Sequence, residues 1–121
     1  MKGKWPSVSD DNVHHVLPLA HEYQTEILLQ NIDTLLALNS KKNEHELSLC
    51  DVIDNIIEAE IYGLELYLKI NIDIAFKERY IQLIQESRFQ LISRKTKLVI
   101  SQKHWEYKDK VYCLNHQIHS L

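Results

Sequence analysis

Residues 9–36 read SDDNVHHVLPLAHEYQTEILLQNIDTLL, and this stretch decides the fold class. Val13, Val16, Leu17 and Ala20 fall at i, i+3, i+4 and i+7, which lines one face of a helix with apolar side chains. Ser9 is placed to cap that helix. Asp10 and Asp11 would then lie in its first turn, where the helix dipole favours carboxylates. Tyr23 and Gln24 end the run, Thr25 is a second cap, and Ile27, Leu28, Ile32, Leu35 and Leu36 make another apolar stripe. Two amphipathic helices joined so closely must fold onto each other, since neither buries its face alone. Pro18 lies inside the first helix, where it removes one backbone hydrogen bond, so a kink or an irregular turn is expected near His14.

The same residues carry a resemblance. Asp11-Asn12-Val13, then Leu17-x-Leu19-Ala20-His21-Glu22-Tyr23, then a leucine-rich helix, resembles the C-terminal helical half of a BTB/POZ domain. Ala59-Glu60-Ile61-Tyr62-Gly63-Leu64 is similar to a helix ending that recurs in the same family, where a second helical hairpin follows the core domain. Leu83 to Leu98 resembles the start of the BACK extension that follows many BTB domains. Trp5-Pro6 favours extended backbone, and Met1 comes where the family's sheet would still lie, so the strand-bearing half is expected to be missing.

Further along, Asn39 to Glu46 (NSKKNEHE) reads as a loop. Ser48 with Asp51 approaches a capping box, and Leu49, Val52, Ile53, Ile56, Ile57 and Ala59 follow at helical spacing. Gly63 followed by Leu64 suits a left-handed close of that helix. Leu64, Leu66, Leu68, Ile70, Ile72 and Ile74 alternate as in a half-buried strand, but no partner strand exists, and the family resemblance implies a helix. Arg79 to Ile92 reads as short helical turns with Tyr80, Ile81, Leu83, Ile84, Phe89 and Leu91 inward. Ser93 caps a last helix from Arg94, whose stripe Tyr107, Val111, Leu114 and Ile118 carries it towards Leu121. No internal repeat is evident.

The fold expected is all-α: paired helical hairpins with a C-terminal helix. Residues 1–8 are an extended lead-in, residues 9–76 BTB-like hairpins and residues 77–121 a BACK-like helical extension. The helices expected are Asp10–Tyr23, Glu26–Leu38, Leu49–Tyr62 and Arg94 onward. With 2 Gly and 2 Pro in 121 residues, the chain lacks the turn chemistry that a sandwich needs about every 8–12 residues.

Composition narrows function. A net charge of −3 leaves no basic surplus for phosphates, so nucleic-acid binding is not expected. No apolar run approaches the roughly 18 residues of a membrane span, and the N-terminus has no apolar signal core. Cys50 and Cys113 match no zinc or redox spacing and read as reduced, mostly buried thiols of a cytoplasmic or nuclear protein. Among 7 histidines, His14 and His21 stand near Glu22, His116 and His119 are three apart, and Glu44-His45-Glu46 lies in the loop. No Glu-x-x-His motif accompanies them, so solvent-facing histidines are expected and no metal or cofactor. The chain shows no Gly-x-Ser-x-Gly elbow and no phosphate-cradling loop, so no catalytic residue is assigned and no small-molecule substrate expected. Arg94, Lys95 and Lys97 read as a solvated face rather than an anion site. Trp105, Tyr107 and Tyr112 read as core rather than as a partner-binding patch.

The resemblance implies a protein-interaction module related to adaptors of cullin-based ubiquitin ligases, with protein partners such as itself or a cullin scaffold. The family's dimer surface and main cullin loop lie in the half expected to be missing. Only Ser48 to Ala75 corresponds to the helix pair that extends the cullin contact. Adaptor activity by this chain alone is therefore not expected. The alternative is a self-contained small helical regulator or inhibitor. On the fragment reading, Val13, Val16, Leu17, Leu28 and Ile32 should form an uncovered apolar face and drive self-association.

Overall fold

The computed structural model describes residues 9–77 and 80–120, with side chains through Val111. Among these residues every element is helical. The elements are α1 (Val13–Glu22), α2 (Glu26–Lys42), α3 (Leu49–Tyr62), α4 (Glu65–Lys77), α5 (Tyr80–Gln85), a short 3-10 helix (Ser87–Leu91) and α6 (Arg94–Ser120). None is long and apolar enough to cross a membrane.

The helix starts show where local sequence rules hold and where they yield. At α3 the expected capping box is present: Asp51 N–H donates to Ser48 Oγ at 3.1 Å, and Ser48 N–H donates to Asp51 Oδ2 at 3.0 Å. Ser9, by contrast, does not cap α1. Asn12 Oδ1 reaches back to accept the Ser9 N–H at 2.8 Å, the chain turns over residues 9–12, and α1 begins only at Val13. Short polar side chains that bond to nearby backbone favour such a turn over another helical turn. Thr25 also departs from its expected role, since its hydroxyl donates to the Ala20 carbonyl instead of accepting from α2. The helix is unbroken at Pro18, which is exposed.

α2 runs to Lys42, four residues past its expected end at Leu38, so the Asn39–Glu46 loop is corrected to a connection after Lys42. Tertiary bonds hold the extra turn. Asn39 Nδ2 donates to Asp10 Oδ1 at 2.6 Å, and the buried Ser40 hydroxyl accepts from Asn71 Nδ2 at 3.1 Å.

Both hairpins close in the same way. Thr25 N–H donates to Ala20 O and Gln24 N–H to His21 O, with Gln24 at φ 52. Leu64 N–H donates to Ala59 O, with Gly63 at φ 66. These are Schellman-type ends. In sequence the matching positions are thirty-nine residues apart: Ser9 and Ser48, Val13 and Val52, Ala20 and Ala59, Tyr23 and Tyr62, Glu26 and Glu65, Leu29 and Leu68. The expectation of no internal repeat is thus corrected: six scattered identities relate the two hairpins.

α4 is the central helix, packed against α2, α3, α5 and α6. Enclosure on several sides explains its misleading alternation of apolar residues, because more than one stripe of a buried helix is apolar. One core joins α1, α2, the end of α3 and the start of α4 through Val13, Val16, Leu17, Ala20, Ile32, Leu36, Ala59, Leu64 and Tyr67. A second joins α3, α4, α5, the 3-10 helix and α6 through Val52, Ile53, Ile56, Ile72, Ala75, Leu83, Phe89, Ile92 and Ile100, drawing on both sides of residue 77. Each fully buried aliphatic side chain contributes about 1.5–3 kcal/mol to stability.

The expected open face is therefore closed. Val13, Val16, Leu17 and Ile32 are buried and Leu28 is half-buried, because α3 and α4 supply the cover that the fragment reading assigned to absent elements.

Between the two cores lies a polar knot. Asn71 is fully buried; it donates to Ser40 Oγ and to the Tyr67 carbonyl, and accepts from Asn55 Nδ2 at 3.1 Å. It ties α2, α3 and α4 at one level. Among the described residues no buried side-chain polar atom lacks a partner.

Candidate protein-docking groove

α5 meets α6 where Tyr80 contacts His104 and Ser101, and the segment from Tyr80 to Ile92 buries less than its apolar content suggests. Leu83, Phe89 and Ile92 go into the core, but Ile81, Ile84 and Leu91, expected inward, are exposed, Ile81 at 59% and Leu91 at 68%. A six-residue helix followed by a 3-10 turn presents only one narrow face to the body, so its other apolar residues face out.

α6 is anchored through Thr96, Ile100 and His104, all buried. His104, one of the histidines expected to face solvent, is a correction. Its ring stacks on Tyr80 with centroids 4.0 Å apart and planes 13° apart. Its Nδ1 stands 3.1 Å from the Phe76 carbonyl, which accepts only, so Nδ1 carries the proton. Tyr80 in turn shares a 2.6 Å hydrogen bond with Ser101. After His104 every side chain from Trp105 to Val111 is exposed. Trp105 is 61% exposed and touches His104 edge-on, and Tyr107 meets Phe76 edge-on. The core assignment of Trp105 and Tyr107 is thus overturned; α6 has left the body at this point. Tyr112 lies outside the described side chains.

The result is a groove of about 410 Å³ between α5 and α6. Ile81, Trp105, Tyr107 and Val111 are apolar ground, Tyr80 and His104 form its floor, and Lys77 and Lys108 stand on it as cations. Among its described lining residues there is no carboxylate and no thiol.

The other sequence candidates lie elsewhere and apart. His14 Nδ1 is 2.8 Å from Glu58 Oε2, and the Tyr67 hydroxyl donates to Glu58 Oε1 at 3.1 Å. The hydrogen bond to Glu58 raises the His14 pKa against the opposing effect of burial. Burial first, and the Glu58 charge second, push the Tyr67 phenol far up, so it remains a donor. His21 packs edge-on against Tyr62, Glu22 is exposed, and Glu44 lies beside Lys41 and His45 in the connection after α2. His116, His119 and Cys113 lie outside the described side chains. No three His, Cys, Asp or Glu side chains among the described residues converge as metal ligands. Cys50 is exposed rather than buried, its thiol 3.8 Å from Glu86 Oε2.

Arg94 and Lys95 are solvated, and Lys97 bends over Phe89 to donate to the Gln90 carbonyl at 3.3 Å. The N-terminus of α6 already holds an anion of its own. Glu60 of α3 accepts from the Ser93 N–H at 3.0 Å and from the Ser93 and Thr96 hydroxyls.

Neither the models of known families, nor curated proteins, nor solved structures match this chain. The signal for the groove in the sequence was the apolar surplus of the segment from Tyr80 to Val111, which a single narrow helix face cannot absorb.

Proposed function

We propose that this chain is a protein-interaction module that docks partners in the α5–α6 groove and performs no catalysis of its own. One observation carries the reading: Ile81, Trp105, Tyr107 and Val111 line a single groove while exposed to solvent. Contiguous exposed apolar surface marks interaction sites, and Trp and Tyr are the side chains most often found at their energetic centres. The resemblance to the helical half of a BTB/POZ domain supports the same class. On that footing α3 and α4 are the pair that extends a cullin contact, in a cytoplasmic or nuclear ubiquitin-ligase assembly whose other contacts come from a strand-bearing half. Closure of the α1–α2 face by α3 and α4 favours a second reading, a small helical regulator that folds unaided and acts through the same groove.

Affinity capture with the intact chain and with a Trp105→Ala, Val111→Ala double variant tests the proposal. Partners should be retained by the first and lost by the second, with the two unfolding at the same temperature. Equal capture by both would tell against the groove. Repeating the capture with an added BTB N-terminal half separates the two readings, since only an adaptor should gain a cullin partner.

A further inference from the structure

The sequence of α6 carries a regular seam. Ile100, His104, Tyr107, Val111, Leu114 and Ile118 follow one another at spacings of four, three, four, three and four residues. This is the heptad spacing of positions that pack against a second helix. Ile100 and His104 spend it on the body, where both are buried. The described positions after them, Tyr107 and Val111, keep the register while exposed, on a helix that runs to Ser120. The pattern fits a helix laid alongside α6.

Charge decides which helix. Lys108 and Lys110 occupy the two positions that flank the seam between Tyr107 and Val111, and Lys103 flanks it one heptad earlier, 3.7 Å from Asp73. Lys77 stands across the groove from α6. Glu106 and Asp109 fall on the outer positions of the heptad and share a second pocket with Phe76, Lys103, Tyr107 and Lys110. The cations not accompanied by a described carboxylate are therefore Lys77 and Lys108. Flanking charges set partner choice in paired helices, and like charges there act against pairing. Two copies of this chain would set Lys103 against Lys108 in a parallel pair. In an antiparallel pair centred on Tyr107 and Val111 they would set Lys108 against Lys108 and Lys110 against Lys110.

Resting on the docking role given above, we propose that the occupant is an amphipathic helix of another protein, apolar at heptad spacing and bordered by glutamate or aspartate. Its seam would pack on Tyr107 and Val111, with Trp105 at the border of the contact, and its carboxylates would meet Lys77 and Lys108, the two cations of the groove lining.

Two synthetic helices of about 21 residues, three heptads, with identical leucine and isoleucine seams provide the test, one bordered by glutamates and the other by lysines. Each is titrated by fluorescence anisotropy against the full chain at roughly 50 mM salt, where surface charge is weakly screened. The glutamate peptide should bind at least about tenfold more tightly, a difference of roughly 1.4 kcal/mol. A Lys77→Glu, Lys108→Glu chain should reverse the preference. Equal binding of both peptides, or binding of neither, overturns the proposal. So does self-association of the chain that a Tyr107→Lys substitution abolishes. If the peptides fail while capture of natural partners still depends on Trp105, the acidic helix is wrong and the docking groove stands. If capture does not depend on Trp105, the docking role itself fails.

Discussion

Gln24 and Gly63 occupy the same left-handed backbone conformation, at φ 52 and φ 66, one at the close of each hairpin's first helix. The two positions differ in cost. A side chain with a Cβ is strained there by about 1–2 kcal/mol, whereas glycine is not, although glycine returns about 0.5–1 kcal/mol through its freer unfolded chain. Gln24 is exposed, so replacing it sacrifices little packing. Gln24→Gly should therefore stabilise the protein by roughly 0.5–1 kcal/mol in urea unfolding. Gly63→Ala should destabilise it by about 1 kcal/mol, and through backbone strain alone, since an added Cβ meets nothing within 4 Å. Opposite signs for these two substitutions are the expected result; a loss at both would mean that Gln24 does more than turn the chain.

Asp33 supplies the cap that α4 lacks in its own sequence. Its carboxylate, on α2, accepts the Leu66 N–H at 3.1 Å and the Tyr67 N–H at 2.7 Å. Leu64, which precedes α4, has no side-chain acceptor to offer. Asp33→Ala should cost about 1–2 kcal/mol, and Asp33→Asn, which keeps one acceptor oxygen, should cost less. Equal melting temperatures for the alanine variant and the parent chain would contradict this role.

Asn71 tests the polar knot between the cores. Removing its amide in Asn71→Ala leaves the buried Ser40 hydroxyl and the half-buried Asn55 amide without it, and opens space at the level where α2, α3 and α4 meet. The cost should reach about 1–3 kcal/mol for the lost partners. An Asn71→Leu chain should also be destabilised, since it strands the same groups. If instead it is more stable than the parent, the knot sets helix register without adding to stability.

Ala20 sits with no exposed surface where α1 turns into α2, and its carbonyl takes both the Thr25 amide and hydroxyl. Ala20→Leu should overpack this corner and cost about 1–3 kcal/mol, read as a lower urea midpoint at unchanged slope.

These sites divide into those visible in the sequence and those that are not. The capping box at Ser48, the left-handed close at Gly63 and the apolar stripe of α1 depend on neighbours within one helical turn, and the sequence displays them. Asp33 acting on α4, Glu60 acting on α6 and Asn71 bonding Ser40 join residues about thirty apart, so no local pattern announces them. Ser9 failed as a cap because Asn12 offered the backbone a competing bond. The apolar face of α1 and α2 was legible and so were the helices α3 and α4, but the packing of these helices onto that face was not, which is why burial looked like exposure. The groove was hidden for the opposite reason: aromatic residues read as core until the length of α6 carries them past the body.

His14 and Glu60 predict opposite pH responses. Both lie partly exposed, where solvent screens their charges. The bond to Glu58 favours protonated His14, and although burial works against this, the Glu58 charge reinforces it; the folded pKa lies above the ordinary 6.5. Such a group stabilises fully below pH 6.5 and loses its contribution as pH rises through the folded value. For Glu60, burial raises the pKa, but the bonds from the Ser93 hydroxyl, the Thr96 hydroxyl and the Ser93 amide together outweigh it, and the folded value falls below 4.5. Its contribution is complete above pH 4.5 and is lost as pH falls through the folded value. Between pH 4.5 and 6.5 both act. Urea midpoints measured across pH should show a Glu60→Gln chain losing part of the parent's decline on the acid side. A His14→Gln chain should lose part of the decline that the parent shows as pH rises above 6.5. If Glu60→Gln leaves the acid limb unchanged, the Glu60 cap on α6 is not held as its three hydrogen bonds require.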